Sequence, residues 1–286
     1  MAEAASDLRF DLVVATVERT DDLDALLASL DAQTHRAFRV VVVDQNDDDR
    51  LEHVLAGHPA LEVARLRSAR GLSRARNAAL PSLTADVVAF PDDDCVYAAE
   101  LLARVAERFA ADPGLDGVCG RPADVNGRTT GRWPSRAQRI RPETVFHAAI
   151  SHTIFLRRSV VDRVGDFDEQ LGLGSGTPWS SGEEIDFLVR ALRAGARVEY
   201  DPSVVITHPV KTPSAEELIG LGRRDGGSLG YLLAANRYPA GTVIRLLVRP
   251  LLASVAFAVL LDGTRARFHL ATLGGRLRGL LAGRGR

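Results

Sequence analysis

The run Val40-Val41-Val42-Val43, followed at once by Asp44-Gln45-Asn46-Asp47-Asp48-Asp49, decides the fold. Four β-branched residues with no polar residue between them leave a strand no wet face. A strand buried on both faces is the central strand of a parallel sheet. The segments on either side read as more of the same architecture. Residues 11–15 form a second buried strand. Leu23, Leu26, Leu27 and Leu30 fall at i, i+3, i+4 and i+7, which predicts an amphipathic helix over 21–32. Its start carries Asp21, Asp22 and Asp24, which suit the positive end of the helix dipole. A short helix at 51–55, a strand at 61–65, a helix beginning at 73–79 that Pro81 ends or kinks, a strand at 87–90 and a helix through Leu102, Val105 and Phe109 follow. Strands alternating with helices predict an α/β fold, a doubly wound and mostly parallel sheet.

The second half reads differently. Strands are expected at 116–119, 152–156, 197–200 and 204–207, and helices at 158–164 and 183–194. Residues 121–142, rich in Arg, Pro and Gly, read as a loop. The chain has 286 residues, 46% of them hydrophobic, enough for a real core. Lys and Arg number 36 against 37 Asp and Glu, so a net charge of -1 gives no global attraction to nucleic acid. Two cysteines, Cys95 and Cys119, exclude a disulfide framework and read as reduced core thiols. Residues 1–9 are acidic and polar rather than a secretory leader, so a cytoplasmic protein is expected.

Charge concentrates at the far end. From Val243 onward eight arginines face one acid, Asp262, which leaves +7 on the tail. The same tail holds the longest apolar run, 251–261. A spanning helix needs roughly 20 apolar residues, so the run is too short to cross a bilayer. An apolar helix flanked by arginines suits an anionic membrane surface instead. Packing of the helix on its own domain or on a second subunit is the competing reading. The expected division is residues 1–212 as an α/β domain and 213–286 as a helical, basic, membrane-associated segment.

In open α/β sheets, ligands bind beyond the carboxyl ends of the strands. Three polar clusters lie there: Thr16-Val17-Glu18-Arg19, the acidic stretch from Asp44, and Asp92-Asp93-Asp94 after Phe90-Pro91. Adjacent carboxylates repel unless a cation sits among them, and a hard divalent ion takes one or two of them together with phosphate oxygens. A solvated loop is the plainer reading of the triplet. There is no G-x-x-x-x-G-K-[ST] phosphate loop, no G-x-G-x-x-G after the first strand and no G-x-S-x-G elbow. His147 and His152 lack metal-ligand spacing and read as ordinary core or surface residues. Ser180 to Asp186 opens a helix with Glu183, Glu184 and Asp186 in its first turn. Ser181 and Glu184 also have capping-box spacing, so a structural role competes with a catalytic one. Trp179 stacks on a sugar or belongs to the core.

Taken in order, Thr16 after the first strand, V-V-V-D-Q-N-D at 41–47, G-L-S-R-A-R-N at 71–77, F-P-D-D-D at 90–94, V-G-D-F-D at 164–168 and G-E-E-I-D at 182–186 resemble a family 2 glycosyltransferase over roughly residues 10–210. The resemblance implies a GT-A fold with C-terminal helices, a nucleotide-sugar donor, a divalent metal (Mn²⁺ or Mg²⁺) and inversion at the anomeric carbon. It places Thr16, Glu18, Asp44, Arg76, Asn77, Asp92 and Asp93 at the nucleotide sugar and Asp92, Asp94 and His208 at the metal; Trp179, beside the acidic turn in sequence, is the candidate for the acceptor. It places the general base among Glu184, Glu183 and Asp186. One departure stands out: Glu183-Glu184 occupies a place where such families commonly carry Glu-Asp, and Glu184 then takes the base position. The implied partners are a glycan or glycolipid acceptor and an anionic membrane, with no nucleic acid. Transfer to a polyprenyl phosphate, and a non-catalytic nucleotide-sugar-binding or scaffold protein, are the alternatives.

Overall fold

The computed structural model describes residues 7–129, 131–210 and 212–285. Residues 1–6 of the polar N-terminus and Arg286 of the basic tail lie outside the described residues. In chain order the first half contains β1 (Phe10–Thr16), α1 (Thr20–Asp31), β2 (Phe38–Asp44), α2 (Leu51–Ala56), β3 (Val63–Arg67), α3 (Leu72–Ala79), β4 (Val87–Ala89) and α4 (Leu101–Ala111). The second half adds β5 (Gly117–Ala123), β6 (Gln138–Arg139), β7 (Ile154–Arg157), α5 (Arg158–Val164), α6 (Glu183–Arg193) and β8 (Val198–Thr207). Three long helices close the chain: α7 (Ala215–Ala235), α8 (Ala240–Val259) and α9 (Gly263–Ala282).

The strands form one sheet in the order β3-β2-β1-β4-β7-β5-β8-β6. Val40 to Val43 are fully buried, as a strand flanked by parallel neighbours on both sides requires. On α1, Leu23, Leu26, Leu27 and Leu30 form the buried stripe. The sheet is mixed beyond β4: β7 runs antiparallel to both β4 and β5, and β6 is antiparallel to β8. Three expectations shift. The third strand begins at Val63 rather than 61, because Leu61 is buried ahead of an edge strand that is half-exposed. The segments 197–200 and 204–207 form one strand, which passes through Pro202 where the β5 register slips between Cys119 and Arg121. A proline is tolerated at such a bulge. Gly120 sits at the slip, where a Cβ would come within 2.1 Å of the Val204 carbonyl oxygen. Lastly, β6 lies inside the expected loop 121–142.

The chain divides into two compact units. One holds the sheet: the chain up to Arg70, Arg74–Phe167 and Phe187–Val210. The other holds Gly71–Ser73, Asp168–Asp186 and the chain after Val210. Within the second unit α7 starts on a full capping box, Ser214 with Glu217. It packs against α9 at backbone distance. Gly222, Gly226 and Gly230 on α7, Gly275 and Gly279 on α9 and Gly283 just after it recur every fourth residue, and a Cβ at Gly279 would stand 2.0 Å from the Gly227 carbonyl oxygen. Glycine at this spacing lets two helix backbones touch. By contrast α8 is mostly exposed: only Leu246 and Pro250 are buried. It runs for 20 residues because Arg245, Arg249 and Pro250 lie within it instead of ending it. The apolar segment is therefore longer than the run 251–261, and α8 is long and apolar enough by composition to cross a membrane.

Candidate active site

Strand ends of the sheet unit assemble the acidic site. The chain after β4 continues beside β1 through a bridge between Ala15 and Asp92. This brings the Asp triplet to the end of β1. Thr16 Oγ1 donates to Asp93 Oδ2 at 2.8 Å. Arg19 Nη1 donates to Asp93 Oδ1 and to Asp94 Oδ2, each at 2.8 Å. Burial pushes the Asp93 carboxyl up, and the bonds from Thr16 and Arg19 offset this only in part. Glu18 has a left-handed backbone, φ 63°, its N–H donates to Asn46 Oδ1 at 2.7 Å, and its carboxylate pairs with Arg70.

At the end of β2, Asp44 is fully buried and accepts the Asn46 backbone N–H at 2.9 Å and Arg65 Nη2 at 2.7 Å. Burial alone would raise its pKa, but these bonds outweigh burial and hold it below the usual carboxylate range. Arg76 is also buried. Its guanidinium lies over the rings of Phe90 (5.6 Å) and Phe167 (5.4 Å), donates to Ser151 Oγ, and stands 3.7 Å from Asp92 Oδ1. The side-chain amide of Asn77 exchanges two hydrogen bonds with the Phe167 backbone, at 3.0 and 2.7 Å.

The cation-binding expectation falls on Asp92, Asp94 and His208, and the fold adds His152. A single 3₁₀ turn, Ser151–Thr153, precedes β7, so the expected strand starts two residues late and His152 turns toward the triplet. His152 Nδ1 donates to Asp92 Oδ2 at 2.9 Å. His208, just past β8, has Nε2 at 3.1 Å from Asp94 Oδ1 and 4.0 Å from Asp92 Oδ2. Burial would raise Asp94, yet His208 and Arg19 hold it at about 2. The Asp94 hydrogen bond raises His208 above the ordinary imidazole value against the effect of burial. One donor atom from each of Asp92, His152 and His208 lies within 4.8 Å of the others. A carboxylate oxygen and imidazole nitrogens in such a cluster fit a divalent cation. Sequence spacing gave no sign of His152, because an antiparallel strand, and not a local motif, delivers it.

In the second unit, the first turn of α6 follows Gly182, whose φ is +87°. Glu183 and Asp186 are buried, while Glu184 is half-buried. Asp186 accepts from Asn236 Nδ2 at 2.6 Å, and the Glu183 carboxylate lies against Gly172. The helix starts at Glu183, one residue late for a box between Ser181 and Glu184, and the Ser181 hydroxyl donates to Asp225. The Trp179 ring stacks on Tyr231 with centroids 5.6 Å apart and 16° between planes. The loop around it is tied to itself, Gly172 N–H to the Trp179 carbonyl and Thr177 Oγ1 to the Gln170 carbonyl.

Residues 11–165 match the family model described as Glycosyl transferase family 2, more than half of the chain. The chain belongs to glycosyl transferase family 2. It is 28% identical over 244 residues to the pre-mycofactocin glycosyltransferase of Mycobacterium tuberculosis, an alignment that takes in 81% of this chain and 48% of that protein. The chain thus spans about half the length of that curated relative. To the succinoglycan biosynthesis protein ExoM of Rhizobium meliloti it is 27% identical over 252 residues, covering 81% of this chain and 77% of the other. The mannosyltransferase PcManGT of Pyrobaculum calidifontis, solved with GDP-Man and Mn²⁺, superposes with a TM-score of 0.62 at 18% identity over 96% of this chain and 88% of that one. The expected GT-A fold of this family 2 member is therefore shared with a solved glycosyltransferase.

Proposed function

We propose that this chain is an inverting glycosyltransferase that moves a sugar from a nucleoside-diphosphate sugar to a hydroxyl of a glycan acceptor. The observation that carries the proposal is the acidic turn Asp92-Asp93-Asp94, gathered with His208, His152 and Asp44 at strand carboxyl ends. Thr16, Glu18, Asp44 and Asp93 would hold the nucleotide, with Asp44 on the base or ribose, while Asn77 braces the Phe167 backbone beside them. Arg76 acts on Asp92, whose acidity it supports from a buried position. Asp92, Asp94, His208 and His152 would hold a divalent cation. Bound there, it would supply Lewis-acid stabilisation of the leaving diphosphate. Glu184 takes the proton from the acceptor hydroxyl. It is chosen over Glu183 and Asp186 because it is the least buried of the three, and Asp186 already accepts from Asn236. In-line attack by the deprotonated oxygen then inverts the anomeric centre without a covalent enzyme intermediate. Trp179 borders the acceptor.

Residues 1–212 form the transferase domain in this reading, and 213–286 attach it to the anionic inner face of a cell membrane. The exposed apolar side of α8 and the arginines of the tail support the attachment. A lipid-linked glycan of a bacterial cell-surface polysaccharide is then the acceptor, and the similarity to a succinoglycan biosynthesis protein supports that class. The test is a panel of nucleotide sugars offered with Mn²⁺ or Mg²⁺, reading melting temperature and donor hydrolysis. One donor should raise the melting temperature and be hydrolysed. Binding without hydrolysis or transfer to any acceptor would favour a non-catalytic binding protein, and no response to any donor would refute the proposal.

A further inference from the structure

We infer that His152 is a second imidazole ligand of the cation, so that the site selects a nitrogen-binding ion, Mn²⁺ or Co²⁺, over Mg²⁺. The inference rests on the proposed donor-site reading and narrows it. His152 is 2% exposed. Its Nδ1–H is matched to Asp92 at 2.9 Å, and in that tautomer Nε2 carries a bare lone pair. Nε2 is buried with no hydrogen-bond partner among the described residues. A buried nitrogen acceptor without a donor is costly, and a cation resolves it. The ring lies parallel to that of His208, with centroids 4.5 Å apart and 5° between planes. Two imidazoles thus flank one carboxylate, and a donor atom of each lies within 4.8 Å of the other two. Two bonds of about 2.0–2.1 Å reach ligand atoms at most about 4.2 Å apart, so loading would draw in any pair standing near the 4.8 Å limit by upwards of half an ångström.

The chemistry then orders the ions. Mg²⁺ is hard, takes oxygen ligands and keeps its waters. Imidazole suits the later first-row ions, and affinity at a nitrogen site rises from Mn²⁺ to Co²⁺. The opposing possibility is that His152 only positions Asp92 through its Nδ1–H, in which case the ion meets a single imidazole, that of His208.

Counting nitrogens separates the two. Pulsed electron paramagnetic resonance on the full chain loaded with Mn²⁺ should detect two imidazole ¹⁴N nuclei. The His152→Gln and His208→Gln variants should each show one. Calorimetric titration should give affinities rising from Mg²⁺ through Mn²⁺ to Co²⁺. His152→Gln should weaken Mn²⁺ binding at least as much as loss of an orienting residue does, about 10–100-fold, at an unchanged metal-free melting temperature. One nitrogen in the native chain overturns the inference whether or not the variants fold, and leaves the transferase reading standing. Unaltered Mn²⁺ affinity in a folded His152→Gln protein overturns it as well. Absence of Mn²⁺ binding up to millimolar concentration overturns it together with the metal part of the proposed function.

Discussion

Replacing Gly279 by alanine tests whether α7 and α9 are held at backbone contact. The new methyl carbon would sit 2.0 Å from the Gly227 carbonyl oxygen and 2.5 Å from the Tyr231 nitrogen, both backbone atoms that no rotamer change can move. Real contacts of this kind need about 3.4 Å, so the helices must separate by more than an ångström or bend. Overpacking of a tight interface costs about 1–3 kcal/mol. Alanine in a helix returns up to about 1 kcal/mol relative to glycine. The net expectation is a loss of up to about 2 kcal/mol. Gly274 is the internal control, since it lies in the same helix with nothing within 4 Å of its would-be Cβ. Gly274→Ala should keep the propensity gain and stabilise by up to about 1 kcal/mol. The two alanines, five residues apart on one helix, should therefore shift melting in opposite directions. For a chain of this size each kcal/mol moves the midpoint by about 2–4 °C. Differential scanning calorimetry of both variants is the assay. Equal midpoints for Gly279→Ala and Gly274→Ala would refute the close-contact argument.

Four further outcomes are expected. EDTA should abolish sugar transfer and Mn²⁺ should restore it, while Asp94→Asn should need far more metal for the same turnover; normal turnover of that variant at limiting metal contradicts the assignment. Glu184→Gln should lower turnover about 10²–10⁴-fold with donor affinity and melting temperature intact, and a normal rate beside a dead Glu183→Gln or Asp186→Asn would move the base to a neighbour. In liposome flotation the full chain should bind vesicles containing anionic lipid more than neutral ones and lose binding when residues 243–286 are deleted; equal binding to both would rule out the charge argument. His58 sits between Asp31 (2.6 Å) and Asp24 (3.1 Å), and although burial lowers its pKa these carboxylates raise it above 6.5 overall. Its stabilising effect is full below the unfolded value and disappears as pH rises through the folded one, so melting temperature should fall across that window in the native chain and stay flatter in His58→Gln.

The parallel half of the sheet was legible because its signals are local. Four valines in a row and a leucine stripe at helical spacing each name their own burial. The Asp triplet was legible for the same reason: an apolar strand stops and three acids follow. His152 was not legible, since 60 positions separate it from Asp92 and only the antiparallel insertion of β7 between β4 and β5 joins them. Asn77 reads as a ligand neighbour in sequence, whereas its amide is spent on the Phe167 backbone. The glycines of α7 and α9 carry a local signal in the sequence, a small residue at every fourth position. The extent of α8 was not legible because Pro250 reads as a stop, and here it lies inside the helix.

Arg19 carries a consequence for how the acidic turn is loaded. Its guanidinium spans Asp93 and Asp94 from the end of a neighbouring strand. Protein atoms thus offset part of the turn's negative charge and shape it. Assembly of the site is then separate from its occupancy: a chelated chain would keep its architecture, unlike a zinc finger, whose fold collapses with its ion. An ion arriving at Asp94 would meet a resident cation that competes for its oxygens. In the proposed reading that competition would moderate affinity and quicken exchange, which suits an ion that comes and goes with each diphosphate and does not stay as a fixture.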